Sequence, residues 1–468
     1  MKRNLYFPLF LLSLFTSLTG CFSDIDDEVI PASSVEINDF IYKGLNQFYL
    51  YKPDVPQLAN NYFNDNASYR TFLEGDANPI QFFESLLSNR DRFSFIVSDF
   101  RALENSFNNI SLTTGMEYGL VRISETSSVF GYVRYVLPNT PAANQGVSRG
   151  MLFDRINETE LTEDNYLELL NQDSFTIGLA AINQGQLVRL DQQIKLNKIE
   201  FTENPVFLTK IINSGQTPVG YLMYNGFVTS FENELNTAFA EFKAANIQEL
   251  VVDLRYNPGG SIEMCNDLAS MITGQFNQEL FITQRYNSNF EDVPRFFNNK
   301  LSNDASINSL NLNQVYVLTT TNSASASELL ISGLKPYINV KQIGDRTRGK
   351  FEGSVTLYDS DNYSRNGSNL SINHSYAMQP LVLKSINKNG FTDYFNGIEP
   401  QLFIEEDFGN LGVLGDEQEP LLKAALDDIS GVGKPTPIVR EFDVKHLYNS
   451  NQKSNYYNKM FIGAQELP

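Results

Sequence analysis

Between residues 35 and 110 apolar positions recur three and four apart, as in Phe40, Ile41, Leu45 and Phe48 and again in Phe82, Phe83 and Leu86, the spacing that lines one face of a helix. A small helical N-terminal unit over 35–110 is expected. From about Ser111 the texture changes to short runs rich in Val, Ile and Tyr, and "GLVRI" and "VFGYVRYVL" read as strands. In "PNTPAANQGVSRGMLFDRINETEL", Pro141-Ala142-Ala143 opens a short helix and Gly146 and Gly150 mark tight turns. Leu152, Phe153 and Ile156 then form a strand and Asn157-Glu158 a turn. Residues 112–200 are therefore expected as a separate β-rich module.

A third region, 204–429, has the pattern of a parallel sheet. "VGYLMYNGF" reads as a strand, and Leu235, Ala238, Phe239 and Phe242 share one helical face. Leu250 to Leu254 is an apolar run interrupted only by Asp253, as expected of a strand buried on both faces. After the turn "NPGG", Ile262, Cys265, Leu268 and Ile272 suit a helix packed on that sheet. The next strand, Val315 to Leu318, gives way to "TNSASASELL" and a helix that Pro336 stops, and Val340 to Ile343 is a further strand. This succession means βαβ crossovers. The fold class is α/β in a multi-domain chain that is α+β overall. The polar stretch from Tyr286 to Asn313 suggests a surface loop or small insertion, and the Asn-rich residues 430–468 a polar tail, disordered or wrapped around the catalytic region.

Composition narrows the function. A net charge of −20 over 468 residues repels nucleic acid, so none is expected as a partner. The opening residues 1–20 place Lys2 and Arg3 before an apolar stretch and read as a secretory signal. Its ending, Leu18-Thr19-Gly20-Cys21, resembles a bacterial lipobox, which implies lipidation of Cys21 and a lipid anchor in the cell envelope, with the outer membrane the expected address. Residues 21–34, with Asp24, Asp26, Asp27 and Glu28, then form an acidic linker. Besides Cys21 the chain has only Cys265, and its only histidines are His374 and His446. No clustered Cys or His zinc site can be built from these, and no metal or cofactor is implied.

In an open α/β sheet, ligands sit beyond the carboxyl ends of the strands, where both "DLRYNPGG" and "TNSASASE" fall. Helix N-termini there expose unpaired N–H groups suited to a developing oxyanion. A serine at this rim can attack an acyl carbon, although Ser325 and Glu328 also fit a capping box that requires no function. The two histidines lie in polar stretches and support a Ser-His-Asp triad poorly. A lysine can serve as the base if its pKa is lowered. Lys350 in "GDRTRGKFEGSVTL" follows a strand expected beside the serine turn, and Arg346 and Arg348 would disfavour its charged form if close in space.

The β-rich module resembles a PDZ domain, with its proline-alanine helix, glycine-bounded strand and asparagine turn. That resemblance implies capture of C-terminal peptides by strand addition, with Tyr118-Gly119-Leu120 standing where the carboxylate-binding loop would lie. Together with "VGYLMYNGF", "LVVDLRYNPGGSI", "TNSASASELL", "IGDRTRGK", "NGIEP" and "DEQEPLLKAAL" in that order, residues 112–428 resemble the C-terminal processing (tail-specific) peptidases of serine peptidase family S41. The resemblance implies a βαβ core of the processing-peptidase/crotonase-like type, with Ser325 as nucleophile, Lys350 as base, and an oxyanion hole from the N–H of Ala326 and of Gly259 or Gly260. It also implies protein or peptide substrates with unstructured C-termini, and it requires no cofactor. One departure stands out: the family's glutamine four residues after the lysine is Ser354 here, a shorter candidate for the third catalytic member. The alternative is a catalytically inactive peptide-binding lipoprotein on the same scaffold. Oligomeric state is left open.

Overall fold

A computed structural model describes residues 31–123, 128–184, 186–432, 444–453 and 459–468. The signal, Cys21 and most of the acidic linker lie outside the described residues. The N-terminal unit comprises α1 (Ser34–Phe48), α2 (Asn66–Leu73), α3 (Pro79–Ser85), a short strand β1 (Phe95–Val97), α4 (Phe100–Phe107) and β2 (Ile110–Thr113). A capping box opens α1: Ser33 Oγ accepts from Glu36 N–H (3.3 Å) and Glu36 Oε2 from Ser33 N–H (2.7 Å). The unit is not free-standing. Phe40, Ile41, Leu45, Phe82 and Phe83 share one core with Phe281, Met378 and Leu381 of the third region.

The β-rich module follows with β3 (Met116–Ile123), β4 (Val129–Val136), α5 (Pro141–Asn144), β5 (Leu152–Ile156), β6 (Thr159–Glu160), α6 (Tyr166–Asn171), β7 (Ser174–Asn183), β8 (Gln186–Asn197) and β9 (Ile199–Thr202). Asn157 and Glu158 both take positive φ, 49° and 64°, as a two-residue hairpin turn demands. Tyr118, Gly119 and Leu120 do not form a loop; they lie inside β3, paired with β4 from Tyr118↔Val133 to Leu120↔Gly131. The reason is packing. Tyr118 and Leu120 point into the module's core, and a Cβ at Gly119 would overlap the Tyr132 ring. The turn lies earlier, at Gly115 with φ 84°.

The third region comprises β10 (Val206–Ser214), β11 (Thr217–Tyr224), α7 (Glu232–Ala244), β12 (Glu249–Asp253), β13 (Gly260–Ser261), α8 (Ile262–Ile272), β14 (Leu280–Arg285) and β15 (Val293–Phe296). It continues with β16 (Gln314–Thr319), α9 (Ala326–Leu334), β17 (Asn339–Gly344), β18 (Glu352–Ser354), β19 (Leu357–Tyr358), β20 (Ala377–Gln379), β21 (Leu381–Asn387), β22 (Leu402–Phe403) and α10 (Pro420–Ser430). β11, β12, β16, β17 and β22 are consecutive parallel neighbours, and β10 joins antiparallel at the β11 edge. Period-two alternation divides the layers. Leu250, Val252, Val315 and Val317 face the core shared with α7, α8 and α9, whereas Val251, Tyr316 and Leu318 face Leu421, Leu422 and Ala425 of α10. The 286–313 interval contains β15, which pairs with β14.

The described C-terminal residues, 444–453 and 459–468, enter two sheets. β23 (Val444–Asn449) adds antiparallel to β3, giving the module the order β23-β3-β4-β5-β7-β8. β24 (Met460–Phe461) enters a third sheet, ordered β13-β24-β18-β21-β14-β15.

A buried charge network fastens these layers. Arg255 donates to Glu419 at 2.6 and 2.9 Å, to Asp253 at 2.9 Å and to Glu406 at 3.2 Å. Arg149 of the β-rich module reaches Glu406 at 2.7 Å. Burial opposes ionisation of Glu406, yet Arg149 and Arg255 hold its pKa down to about 2. Arg255→Met is expected to leave the buried Asp253 without its cation and Glu419 with only Arg149 at 3.9 Å, and to lower unfolding stability by about 3–5 kcal/mol, measured by urea denaturation at neutral pH.

Candidate active site

Two turns at the carboxyl ends of β12 and β16 meet at the rim of the parallel sheet. Asn257 stitches them together. Its side chain donates to the Tyr224 carbonyl (2.8 Å) and accepts from Gly259 N–H (2.9 Å), while its carbonyl accepts from Ala324 N–H (3.1 Å) and Ser327 Oγ (3.1 Å). Gly259 and Gly260 take φ of 111° and 137°, a region that suits glycine. A Cβ at Gly259 would sit 2.6 Å from Ser325 Cβ. The two turns therefore pack backbone against nucleophile candidate, with no room for a larger residue.

The three serines of "TNSASASELL" differ in their partners. Ser323 Oγ donates to the Leu254 carbonyl (2.7 Å) and accepts from Thr320 N–H (3.0 Å), and Ser327 Oγ is held by Asn257. Ser325 Oγ is buried and has no hydrogen-bond partner. Its backbone, at φ 65° and ψ −113°, is strained for a non-glycine residue, as at a sharp strand-to-helix elbow. Only half of the expected capping box forms: Glu328 accepts from Ser325 N–H at 2.8 Å, and the serine hydroxyl is left over.

Glu328 also brings in the lysine. Its Oε2, bonded to Ser325 N–H, accepts from Lys350 N–H (2.8 Å), and its Oε1 accepts from Gly349 N–H (2.6 Å) and Thr347 Oγ1 (2.5 Å). One carboxylate thus clamps the serine turn to the lysine loop. Burial raises its pKa to about 7 against these donors. Lys350 is fully buried, and burial lowers its pKa to about 8, while Glu352, Asp91 and Glu328 pull it partly back. The ammonium lies 5.0 Å from the centre of the Phe93 ring, contributed by the N-terminal unit. Arg346 and Arg348, expected to depress this pKa, are not its cause; Arg346 pairs with Glu399 at 3.7 Å. Desolvation acts instead.

The sequence-derived residues fall into groups. Ser325, Ala326, Gly259, Gly260 and Lys350 converge at this rim. Ser354 is nearby on β18, but its hydroxyl engages Gln379 Oε1 (3.2 Å) and the Met460 carbonyl (3.1 Å). Gly259 N–H is already held by Asn257, so of the two glycines it is Gly260 whose N–H is directed away from its own turn, toward the Lys459 carbonyl (2.6 Å). Tyr118, Gly119 and Leu120 belong to the other module. A cavity of about 490 Å³ joins the two, lined by α4, by Glu117 and Tyr118 at the start of β3, and by Pro258 of the glycine turn.

A model of the peptidase family S41 domain matches residues 218–397 of this chain, and a model of the peptidase S41 N-terminal domain matches residues 36–95. The chain belongs to peptidase family S41. Among curated relatives, the carboxy-terminal processing protease CtpB of Bacillus subtilis is 24% identical over 327 residues, 68% of this chain and 60% of its own length. A CtpA-like serine protease of Staphylococcus saprophyticus is 31% identical over 132 residues, 28% of this chain and 25% of its own. The matches thus span less than two thirds of those proteins. Of solved structures, an S41 protease from Bacteroides fragilis superposes with a TM-score of 0.67 at 25% identity, covering 84% of this chain and 98% of that one. The photosystem II D1 C-terminal processing protease shares the fold, with a TM-score of 0.51 at 17% identity, covering 85% and 99%.

Two residues that position the S41 site were not singled out as such from sequence. Glu328 was visible only as a cap, and its second role needs the lysine loop in space. Phe93 carried no signal, because it comes from a different unit. Glu328→Ala is expected to leave three backbone N–H groups and the Thr347 hydroxyl unsatisfied and to cost at least about 3 kcal/mol of unfolding stability, read as a shift of the urea midpoint.

Proposed function

We propose that this S41 chain is a serine endopeptidase in which Ser325 is the nucleophile and Lys350 the general base. One observation carries the reading: of three serines in the turn, only Ser325 has a buried hydroxyl with no partner, and the same carboxylate that fixes its backbone fixes that of Lys350. A neutral Lys350 amine takes the serine proton as Oγ attacks a peptide carbonyl. The N–H groups of Gly260 and Ala326, the latter at the first residue of α9, stabilise the oxyanion. Protonated Lys350 passes its proton to the departing amine, and water then hydrolyses the acyl-enzyme.

Substrates are proteins or peptides with unstructured C-terminal tails. Strand addition along β3, in exchange for β23, is their means of capture, and a cavity lined by Glu117 and Tyr118 of β3 and by Pro258 of the glycine turn adjoins it. Support for the edge as a docking line comes from β23, which already pairs along it. Lipidated Cys21 tethers the enzyme to the bacterial envelope, with the outer membrane as the proposed address.

With an unfolded reporter bearing an apolar C-terminus, Ser325→Ala and Lys350→Ala are each expected to lower kcat/KM by about 10³-fold or more, measured by reporter cleavage; equal cleavage by all three proteins defeats the dyad. The pH profile supplies a second check. Because the neutral amine is the active form and its pKa lies near 8, kcat/KM is expected to rise about tenfold per pH unit below 8 and to level off above it.

A further inference from the structure

β23 does more than widen a sheet. It pairs with β3 through His446↔Val121, Tyr448↔Leu120 and Asn449↔Gly119. On its other side the Tyr448 ring packs against Tyr166 of α6, with centroids 5.5 Å apart. The segment thus fills the slot between β3 and α6, where an added strand is held by backbone pairing on one side and a helix on the other. Ser450 Oγ then accepts from Tyr118 N–H at 2.9 Å, and Asn449 Nδ2 donates to Asn322 of the serine turn.

At the rim the same segment is seated over the nucleophile. The Lys459 carbonyl oxygen accepts from Gly260 N–H at 2.6 Å. A methyl group added at Gly259 would overlap both that oxygen and Ser325 Cβ, so carbonyl and serine crowd the same face of the glycine turn. Beyond it, Met460 is fully buried between β13 and β18, and Ile462 N–H donates to the Ser354 carbonyl at 3.1 Å. The residue before the bond is fixed too: Lys459 Nζ donates to the Phe93 carbonyl at 3.2 Å and stands 3.9 Å from the centre of the Phe95 ring. The Lys459 carbonyl and Ser325 thus both press on the Gly259 position.

We propose that the Lys459–Met460 peptide bond is a self-processing site of this enzyme, presented to Ser325 by the protein's own C-terminal segment. The proposal rests on the Ser/Lys reading above. Ser325 Oγ bonds to the Lys459 carbonyl carbon as its proton passes to Lys350. The C–N bond to Met460 then breaks, and that proton leaves on the Met460 nitrogen. Water hydrolyses the resulting serine ester, leaving a carboxylate on Lys459 and regenerating the hydroxyl. Release of the β24 strand removes the pairing with β13 and β18 that pins the Lys459 end at the rim, and departure of that new C-terminus then uncovers Gly260 N–H for other substrates.

The test follows the purified wild-type chain, Ser325→Ala and Lys350→Met by intact mass over time, alongside cleavage of the unfolded reporter. The expected result is a wild-type chain ending at Lys459 with release of a peptide beginning at Met460, both variants intact, and reporter cleavage rising about tenfold as processing completes, as for a site freed from an occupant that closes nine molecules in ten. Reporter cleavage by a wild-type chain that keeps its full mass overturns self-processing and leaves the peptidase reading standing. No reporter cleavage, no mass change and no labelling of Ser325 by a serine-directed fluorophosphonate overturns both. Loss of the same peptide from Ser325→Ala assigns the cut to another protease and likewise overturns the proposal.

Discussion

The catalytic rim depends on a buried carboxylate that has exchanged water for four protein donors. Glu328 sits in the first turn of α9, and from there it holds the backbone of Ser325, Gly349 and Lys350 and the hydroxyl of Thr347. A buried carboxylate is costly unless such donors surround it, so the serine elbow and the lysine loop cannot drift apart without leaving charge unsatisfied. The strained φ of Ser325 survives for the same reason, with Asn257 bracing the elbow from the opposite turn.

Burial also tunes Lys350, the proposed base. No neighbouring cation is needed to bring the Lys350 pKa down to about 8; removal from water does it. That removal is a joint product of distant segments. Phe93 comes from the N-terminal unit, whose helices merge into the catalytic core rather than standing beside it. The Arg149–Glu406–Arg255–Glu419 network ties the β-rich module to the sheet in the same way, by charges that are tolerable only when all are present.

The described C-terminal residues touch both the β-rich module and the glycine turn. β23 takes the open edge of the module and β24 an interior position of the third sheet, so edge pairing, which exposed strands invite, is satisfied internally. An Asn-rich, polar stretch gives little hint of this. Its strands are short, and their partners lie over three hundred and about two hundred residues earlier along the chain, at β3 and β13.

By itself the sequence determined what local pattern can encode: the apolar core strands around Leu250–Leu254 and Val315–Leu318, the helices after them, the two small-residue turns, and a lysine just past the next strand. These follow from periodicity and turn chemistry, which act over a few residues. Tertiary structure alone decided which serine hydroxyl is left unpaired, which glycine N–H faces outward, and why the lysine is poised, since each depends on groups far away in sequence. It also moved Tyr118-Gly119-Leu120 from a loop into a strand and Ser354 toward Gln379, because packing against Tyr132 and the pairing of β18 outweigh what the local motif suggests. Long-range contacts, unlike helical or strand spacing, leave no repeating mark on a single chain.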